Sequence, residues 1–527
     1  MIFDHISVGG GVIGVNTLVS LLKKIIKKKL NNNTKIKLCI IDKNLKNVPG
    51  GIGYGKYTSK FGYFNNPLRL SPKSLQKYYL SEENFENLRS YILSTGSSND
   101  KKLIDKSLNN LKSKSSKLRN EIYLPRVAVY LWHCNLLLKY LKIINDKFKN
   151  IKILFCEGQV TNLKKLKTFT ELNSEKKFEF FEIDLIKSGK NNIIFNKINK
   201  NKKKLISKFV TVGLGINPPN KLSNQKMYNR KNYIWDYYSE GATNNLLTKI
   251  KKKIEKKKLI KLCFIGSKAG FLESLPELYN IKKKYLNKLK IFCFSEKFES
   301  LEPATISFKK KIKLKFLKKN RKDLISAKKI YEEIVREFEI QKRFKNKKYL
   351  IWTEILSQKI LHKYVNSLSM KELKLYQDIY LHKIRNLTRF TFPETVKIKN
   401  KMLKNGMIHL INKNVDNVFE KKNYVYVIAK KKEYKFDLVV NVTGPSSILH
   451  CAKEIPIYKS FIKSANPEGT NLKTKKNFEL VNLSNIFTPG TLANGFNNSR
   501  KTIIEAIINN STLSSKSIFN KIKNSYS

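Results

Sequence analysis

The residues best suited to chemistry lie near the start of the chain: Gly9, Gly11 and Gly14 at G-x-G-x-x-G spacing, with Asp42 behind them. Positions without side chains at that spacing serve three needs in turn: a tight bend, approach of the backbone to a diphosphate, and close packing of a helix on a strand. A phosphate seated there faces the positive end of a helix, and a later carboxylate accepts hydrogen bonds from an adenosine ribose. The chemistry implied is dinucleotide binding. A lone glycine motif is a weak signal, so the elements around it decide.

Those elements are present. Asp4-His5-Ile6-Ser7-Val8 is a short apolar strand leading into the glycines, and a helical pattern follows to near Lys29. After a polar break at Asn31-Asn32-Asn33-Thr34, the apolar run from Ile36 to Ile41 forms a second strand, and Asp42 follows it. Strand, glycine turn, helix, strand and acid therefore occur in the order a dinucleotide fold requires. A poorer copy begins at Leu259–Ile265 and continues through Gly266, Ser267, Lys268, Ala269 and Gly270. Lys268 occupies the place of the middle glycine. The next strand, Lys290–Phe294, ends in Ser295-Glu296-Lys297. Ser295 and Lys297 suit a nucleotide 2′-phosphate and hence NADPH, whereas Glu296 favours NADH; the copy is either a working nicotinamide site or a degenerate repeat of the fold. Three more strands run into glycine, at Gly213-Leu214-Gly215, at Thr443-Gly444-Pro445 and at Pro489-Gly490, the last preceding a helical pattern from Arg500 to Asn509.

Composition bounds the alternatives. With 527 residues the chain is long enough for two or more domains. Its formal net charge of +66 suggests a polyanion partner. The cations, however, are overwhelmingly lysine, scattered along the chain rather than gathered in an arginine-rich stripe, and that distribution describes a solvated basic surface. Cys39, Cys134, Cys156, Cys263, Cys293 and Cys451 stand far apart without a C-x-x-C pair, which excludes a zinc ribbon and a redox-active disulfide of the thioredoxin-reductase kind. No apolar run is read as a membrane span and no leader is read at the N-terminus, so a cytoplasmic protein is expected. His5, His133, His362, His382, His409 and His450 are isolated and read as structural, and Arg385 with Arg389 could receive an anion or simply end a helix. Residues 97–118 and the lysine run 251–258 are expected to be exposed loops, and 320–385 to be helical.

These motifs together resemble the FAD/NAD(P)-binding proteins grouped with FAD-dependent urate hydroxylase and aspartate N-monooxygenase. The likeness extends to Gly53-Tyr54-Gly55, Asn65-Asn66-Pro67 with Ser71, Leu124-Pro125-Arg126 with Tyr130, and Asp437 through Pro445. The resemblance implies that Gly9, Gly11, Gly14 and Asp42 hold the FAD adenosine diphosphate, that Arg126 approaches the flavin, and that the Gly53-to-Ser71 loop borders the isoalloxazine. Lys268, Gly213-Leu214-Gly215 and Thr491 depart from its usual pattern.

The expected fold is α/β: a Rossmann-like FAD domain (1–219 and 386–527) with an inserted Rossmann-like NAD(P) domain and helical region (220–385). Cofactor contacts are expected at Gly9, Gly11, Gly14, Asp42, Gly53, Tyr54, Asn65, Ser71, Arg126, Gly215, Gly266, Ser267, Gly270, Ser295, Lys297, Gly444 and Gly490. The expected activity is FAD-dependent, NAD(P)H-using oxidation, monooxygenase-like, on a small polar substrate. A flavin dehydrogenase or reductase without oxygen insertion is the alternative, and a basic nucleic-acid-binding protein on an idle nucleotide fold is the second.

Overall fold

The computed structural model describes residues 2–28, 34–56, 58, 62–95, 98–115, 122–166, 169–170, 177–187, 202–222, 231–256, 259–281, 285, 287–298, 302–304, 312–317, 326–358, 360–388, 390–453, 455–465, 472–493 and 503–526. The chain opens with β1 (Ile2–Val8), α1 (Val12–Lys28) and β2 (Ile36–Asp42). It continues through α2 (Val127–Lys147), β3 (Ile151–Lys165), β4 (Phe181–Lys187) and β5 (Lys202–Val212). β6 (Tyr233–Ile234), α3 (Ala242–Lys256), β7 (Ile260–Ile265), α4 (Ala269–Tyr279) and β8 (Leu289–Ser295) follow. After α5 (Ala327–Arg343) come α6 (Pro393–Lys404), β9 (Ile408–Asn412), β10 (Leu438–Asn441), β11 (Ile486–Phe487) and α7 (Ile503–Tyr526).

The first sheet has a parallel core in the order β3-β2-β1-β5-β11. β1 is buried along nearly its whole length, as expected of a central parallel strand covered on both faces. β3 does two jobs: Ile151–Glu157 runs parallel to β2, and beyond Gly158 the strand pairs antiparallel with β4, with a register shift between Val160 and Asn162. β4 then pairs antiparallel with the start of β5. α1 is buried on most of its surface because α7 packs over it. That close approach relies on small side chains: the Asn16 amide donates to Ser511 Oγ at 2.7 Å, and Ser515 Oγ donates to the Thr17 carbonyl at 3.1 Å.

The second sheet is parallel throughout, in the order β9-β8-β7-β10-β6. Leu246, Ile250 and Ile254 of α3, Phe271 and Leu275 of α4, and Ile398 and Met402 of α6 form the core on one face. The other face is covered by an antiparallel ribbon (Asn417–Lys421, Tyr424–Ala429, Lys432–Phe436), with Val418, Val425 and Phe436 on Cys263 and Phe294. Helices between 327 and 387 have their own core around Ile330, Ile334, Ile355 and Tyr376, in line with the helical expectation.

Sheet membership moves one expected boundary. β9 and β10 pair with β8 and β7, so the second unit runs to Asn441 and not to residue 385. The chain crosses between the units twice, and the crossings meet: Pro219 bridges Pro445, and Ser446 N donates to the Pro218 carbonyl at 2.9 Å. Two expected loops are also helical. Ser98–Lys112 buries Ile104, Leu108 and Leu111, spaced four and three apart, and Lys251–Lys256 is the last part of α3. Among the described residues one helix, α2, passes the length and composition needed to cross a membrane. It packs on α1, burying Val127, Trp132, Leu137 and Ile144.

Candidate functional site

At the carboxyl edge of the first sheet, Gly9 takes φ +98° and donates its N–H to the Ile41 carbonyl at 2.7 Å, while Gly213 N–H donates to the Val8 carbonyl at 2.8 Å. A Cβ on Gly9 would lie 2.3 Å from the Gly213 carbonyl oxygen, so side chains are excluded by the fold itself. Gly14 is equally constrained, since its Cβ would meet the Gly9 oxygen at 2.0 Å. Gly11 is different. Its Cβ would find nothing closer than Gly51 Cα at 3.7 Å, an ordinary contact. The packing around Gly11 gives no reason for a glycine there.

Asp42 ends β2 beside this turn. Its Oδ2 accepts from Gly10 N at 2.7 Å and its Oδ1 from Asn44 N at 2.9 Å. Burial pushes its pKa up, against those two hydrogen bonds that favour the charged form. A carboxylate has about four acceptor sites, so two are left over after these two hydrogen bonds. Gly10, an unassigned spacer in the sequence motif, is itself constrained: its Cβ would fall 2.3 Å from Val48 Cγ2.

The second turn repeats the first in detail. Gly266 has φ +107° and donates to the Phe294 carbonyl at 2.8 Å, and Val442 N donates to the Ile265 carbonyl at 2.9 Å. α4 starts three residues after Gly266, as α1 does after Gly9. The packing partners, though, are exchanged. In the first turn Ile13 of the helix sits over Gly213, where a Cβ would meet Ile13 Cγ2 at 2.9 Å. In the second, Gly270 of the helix sits under Val442, where a Cβ would meet the valine Cβ at 2.9 Å. Large-on-small has become small-on-large, so Gly270 corresponds to Ile13 and not to Gly14. Ser295 holds the place of Asp42. Its hydroxyl meets Ser267 Oγ at 2.9 Å, where the first turn has Asp42 and Gly10, and donates to the Lys297 carbonyl at 2.9 Å. Lys268 is the N-cap of α4. An open cleft of about 260 Å³ lies here, lined by Ser267, Lys268, Ser295 and Glu296 and walled by Lys413 and Val415, which sequence analysis did not single out. Lys413 follows β9, a strand no local pattern assigned to this sheet.

The remaining expected residues fall into two groups. Gly215 (φ +82°) and Gly490 border the first turn: Gly215 O accepts from Thr491 Oγ1 at 2.8 Å, and a Cβ on Gly490 would meet Ile13 Cδ1 at 2.4 Å. Gly53 and Tyr54 end a short helix, Gly51–Tyr54, whose first residue packs on Gly11. Asn65 lies at the seam with the second unit. Thr391 Oγ1 is 3.4 Å from Asn65 Oδ1, Tyr349 donates to Asn66 Oδ1 at 3.0 Å, and Tyr63 stacks on Phe392 at 4.7 Å. Ser71 is buried, its carbonyl accepting from Gln76 Nε2 at 2.6 Å. Gly444 (φ +96°) follows β10, so it belongs to the second sheet and not to the flavin-side sheet where it was expected. Arg126 makes a two-point ion pair with Glu273 of α4, a further residue that sequence analysis did not single out. Arg385 is exposed on its helix, and Arg389 lies outside the described residues.

No protein-family profile matches the sequence, and no curated protein matches it. Solved structures do. Reduced ornithine hydroxylase from Pseudomonas aeruginosa is 10% identical, with 99% of each chain covered and a TM-score of 0.58. The ornithine N-hydroxylase of Kutzneria sp. 744, solved with reduced FAD, NADP+ and L-ornithine, is 10% identical, with 100% of each chain covered and a TM-score of 0.54. An FAD-bound cadaverine monooxygenase from Erwinia amylovora is 9% identical over 99% of this chain and 94% of that one, at a TM-score of 0.50. At these identities the likeness concerns architecture, and it agrees with the FAD/NAD(P)-binding flavoprotein resemblance read from the sequence. Two similar turns, each at the carboxyl edge of its own parallel sheet, and a chain that passes between the sheets twice give this protein the two-Rossmann-domain flavoprotein fold seen in those structures.

Proposed function

We propose that this chain is an FAD-dependent oxidoreductase that takes electrons from NAD(P)H and, in the manner of a monooxygenase, hydroxylates a small polar amine. The observation that carries the proposal is the repeated turn: Gly9 and Gly266 share a positive φ and the same backbone hydrogen bonds, and Gly11 keeps its backbone accessible without any internal reason to be glycine. The residues fit FAD at the first turn. A Cβ at Gly11 would fill the approach to the backbone, and Asp42 retains acceptor capacity for a ribose.

In this account the backbone at Gly11 and the start of α1 seats the diphosphate at the positive helix end. Asp42 orients the adenosine. Ser267, Ser295 and Lys297 receive the adenosine end of the nicotinamide nucleotide, Ser295 and Lys297 suiting a 2′-phosphate and Glu296 in the same cleft suiting a free ribose hydroxyl. Bound FAD supplies hydride acceptance and, once reduced, oxygen activation. The protein's share is distance, orientation and exclusion of water.

The test begins with the visible spectrum of the purified protein, then NADPH or NADH added without oxygen. A yellow protein that bleaches supports the oxidoreductase assignment, and a colourless one that takes up no FAD contradicts it. Oxygen is then admitted with L-ornithine or cadaverine as trial amines. Hydroxylated product in proportion to nicotinamide consumed supports monooxygenation; oxygen consumption that yields only peroxide with every amine favours a dehydrogenase or reductase.

A further inference from the structure

We propose that Glu273 is a positioning residue for hydride transfer: by gripping Arg126 it fixes the second dinucleotide turn against the first. The inference rests on the function proposed above and concerns how the two turns are held in register.

A short run of contacts links them. Gly51 packs on Gly11, where a Cβ on Gly51 would lie 3.2 Å from Gly11 Cα. The helix that Gly51 begins ends at Tyr54. Tyr54 is partly buried in the core there, and its phenol lies in the field of Arg126 and Glu273. Arg126 caps α2, and its backbone N–H is anchored to the Gly62 carbonyl at 2.6 Å. Its guanidinium then reaches across to Glu273, Nη1 to Oε2 at 3.2 Å and Nη2 to Oε1 more closely. Glu273 stands one turn along α4 from Gly270, the glycine packed under the end of β10. The first turn, the Gly51 helix, Arg126, Glu273 and the second turn are thus consecutive neighbours.

Three features separate this pair from a surface ion pair. It is mostly buried, with about a fifth of each side chain exposed. It is two-pronged, so it fixes orientation as well as distance, which a lysine could not do. Tyr237 and Tyr238 lie in its field, their phenols held protonated chiefly by burial. Other contacts hold the units together more generally, including Asn44 Nδ2 to Glu240 Oε1 at 2.6 Å and the Tyr63–Phe392 stack. Removing the ion pair should therefore disturb alignment without separating the units, and a misplacement of about 1 Å costs on the order of a hundredfold in rate.

The experiment compares Glu273→Gln with wild type in three readouts: flavin content, half-saturating NADPH, and the limiting rate of anaerobic flavin bleaching. The expected result is full flavin content, half-saturation within about threefold, and a limiting rate about 10- to 100-fold lower. Arg126→Lys keeps the charge but loses the fork, and should show the same pattern. The double variant should be no slower than the slower single variant, because both remove one contact. An unchanged limiting rate in flavin-loaded Glu273→Gln and Arg126→Lys, or losses that simply multiply in the double variant, would overturn the proposal. A wild-type protein that binds no flavin would instead refute the function assigned above.

Discussion

Gly11→Ala separates binding from folding. A new Cβ at this position lies 3.7 Å from its nearest protein neighbour, Gly51 Cα, so the folded chain accommodates it, and stability should stay within about 1 kcal/mol of wild type. For a bound diphosphate the same methyl group stands in the way. Losing one or two hydrogen bonds to a charged phosphate, each about 1.5–3 kcal/mol, weakens FAD by roughly 10- to 10⁴-fold. Gly14→Ala gives the opposite pattern: its Cβ falls 2.0 Å from the Gly9 carbonyl oxygen, and overpacking of this kind costs about 1–3 kcal/mol or more. The assay pairs urea unfolding of the flavin-free proteins with FAD titration followed by quenching of flavin fluorescence. Gly11→Ala with wild-type affinity would refute diphosphate binding at this turn. Gly11→Ala that unfolds would show that the glycine serves the fold.

Three further outcomes are expected. Gly213→Ala should destabilise by about 1–3 kcal/mol through its contact with Ile13, and Ile13→Ala in the same chain should recover part of that loss; no recovery would contradict the exchanged packing of the two turns. Ser295→Asp places a carboxylate where the first turn has Asp42 and should lower kcat/KM for NADPH by about tenfold or more relative to NADH, in steady-state assays with each nucleotide; an unchanged ratio would remove Ser295 from nucleotide choice. Burial lowers the pKa of His5 and of His133 to about 3, so both stay neutral in the folded state and charge on unfolding below pH 6.5. The unfolded chain then binds more protons, and stability falls with acidification from pH 6.5 toward pH 3, by about 2 kcal/mol per histidine at pH 5. Asp236, pushed up to about 6 by burial, acts in the other direction and offsets roughly 1 kcal/mol, so these three groups together contribute a loss of about 3 kcal/mol between pH 7.5 and 5. Equal urea midpoints at the two pH values would contradict it.

The first turn was legible because everything it needs is local: strand, glycines, helix and acid occupy consecutive positions up to Asp42. The second was half legible. Its strand and Gly266 are marked by pattern, but Gly270 resembles a motif glycine while playing the part of Ile13, and only the packing with Val442 reveals the exchange. The end of the second unit was not legible, since β9 and β10 are apolar strands like any others and their pairing with β8 and β7 spans more than a hundred residues. The Gly444 turn was accordingly assigned to the wrong sheet. Arg126 was marked by resemblance, yet its partner Glu273 lies 147 residues away on an ordinary helix, and a pair of that kind leaves no trace in local spacing. Residues 98–112, part of the loop expected at 97–118, were misread because Ser, Lys and Asn outnumber the three buried apolar residues that make the helix stick.

The most direct measurement is the stoichiometry of FAD on the purified, folded chain. One FAD per polypeptide, released on unfolding and bleached by NADPH or NADH in the absence of oxygen, is the predicted result. A folded protein that remains colourless under saturating FAD would contradict the account at its root.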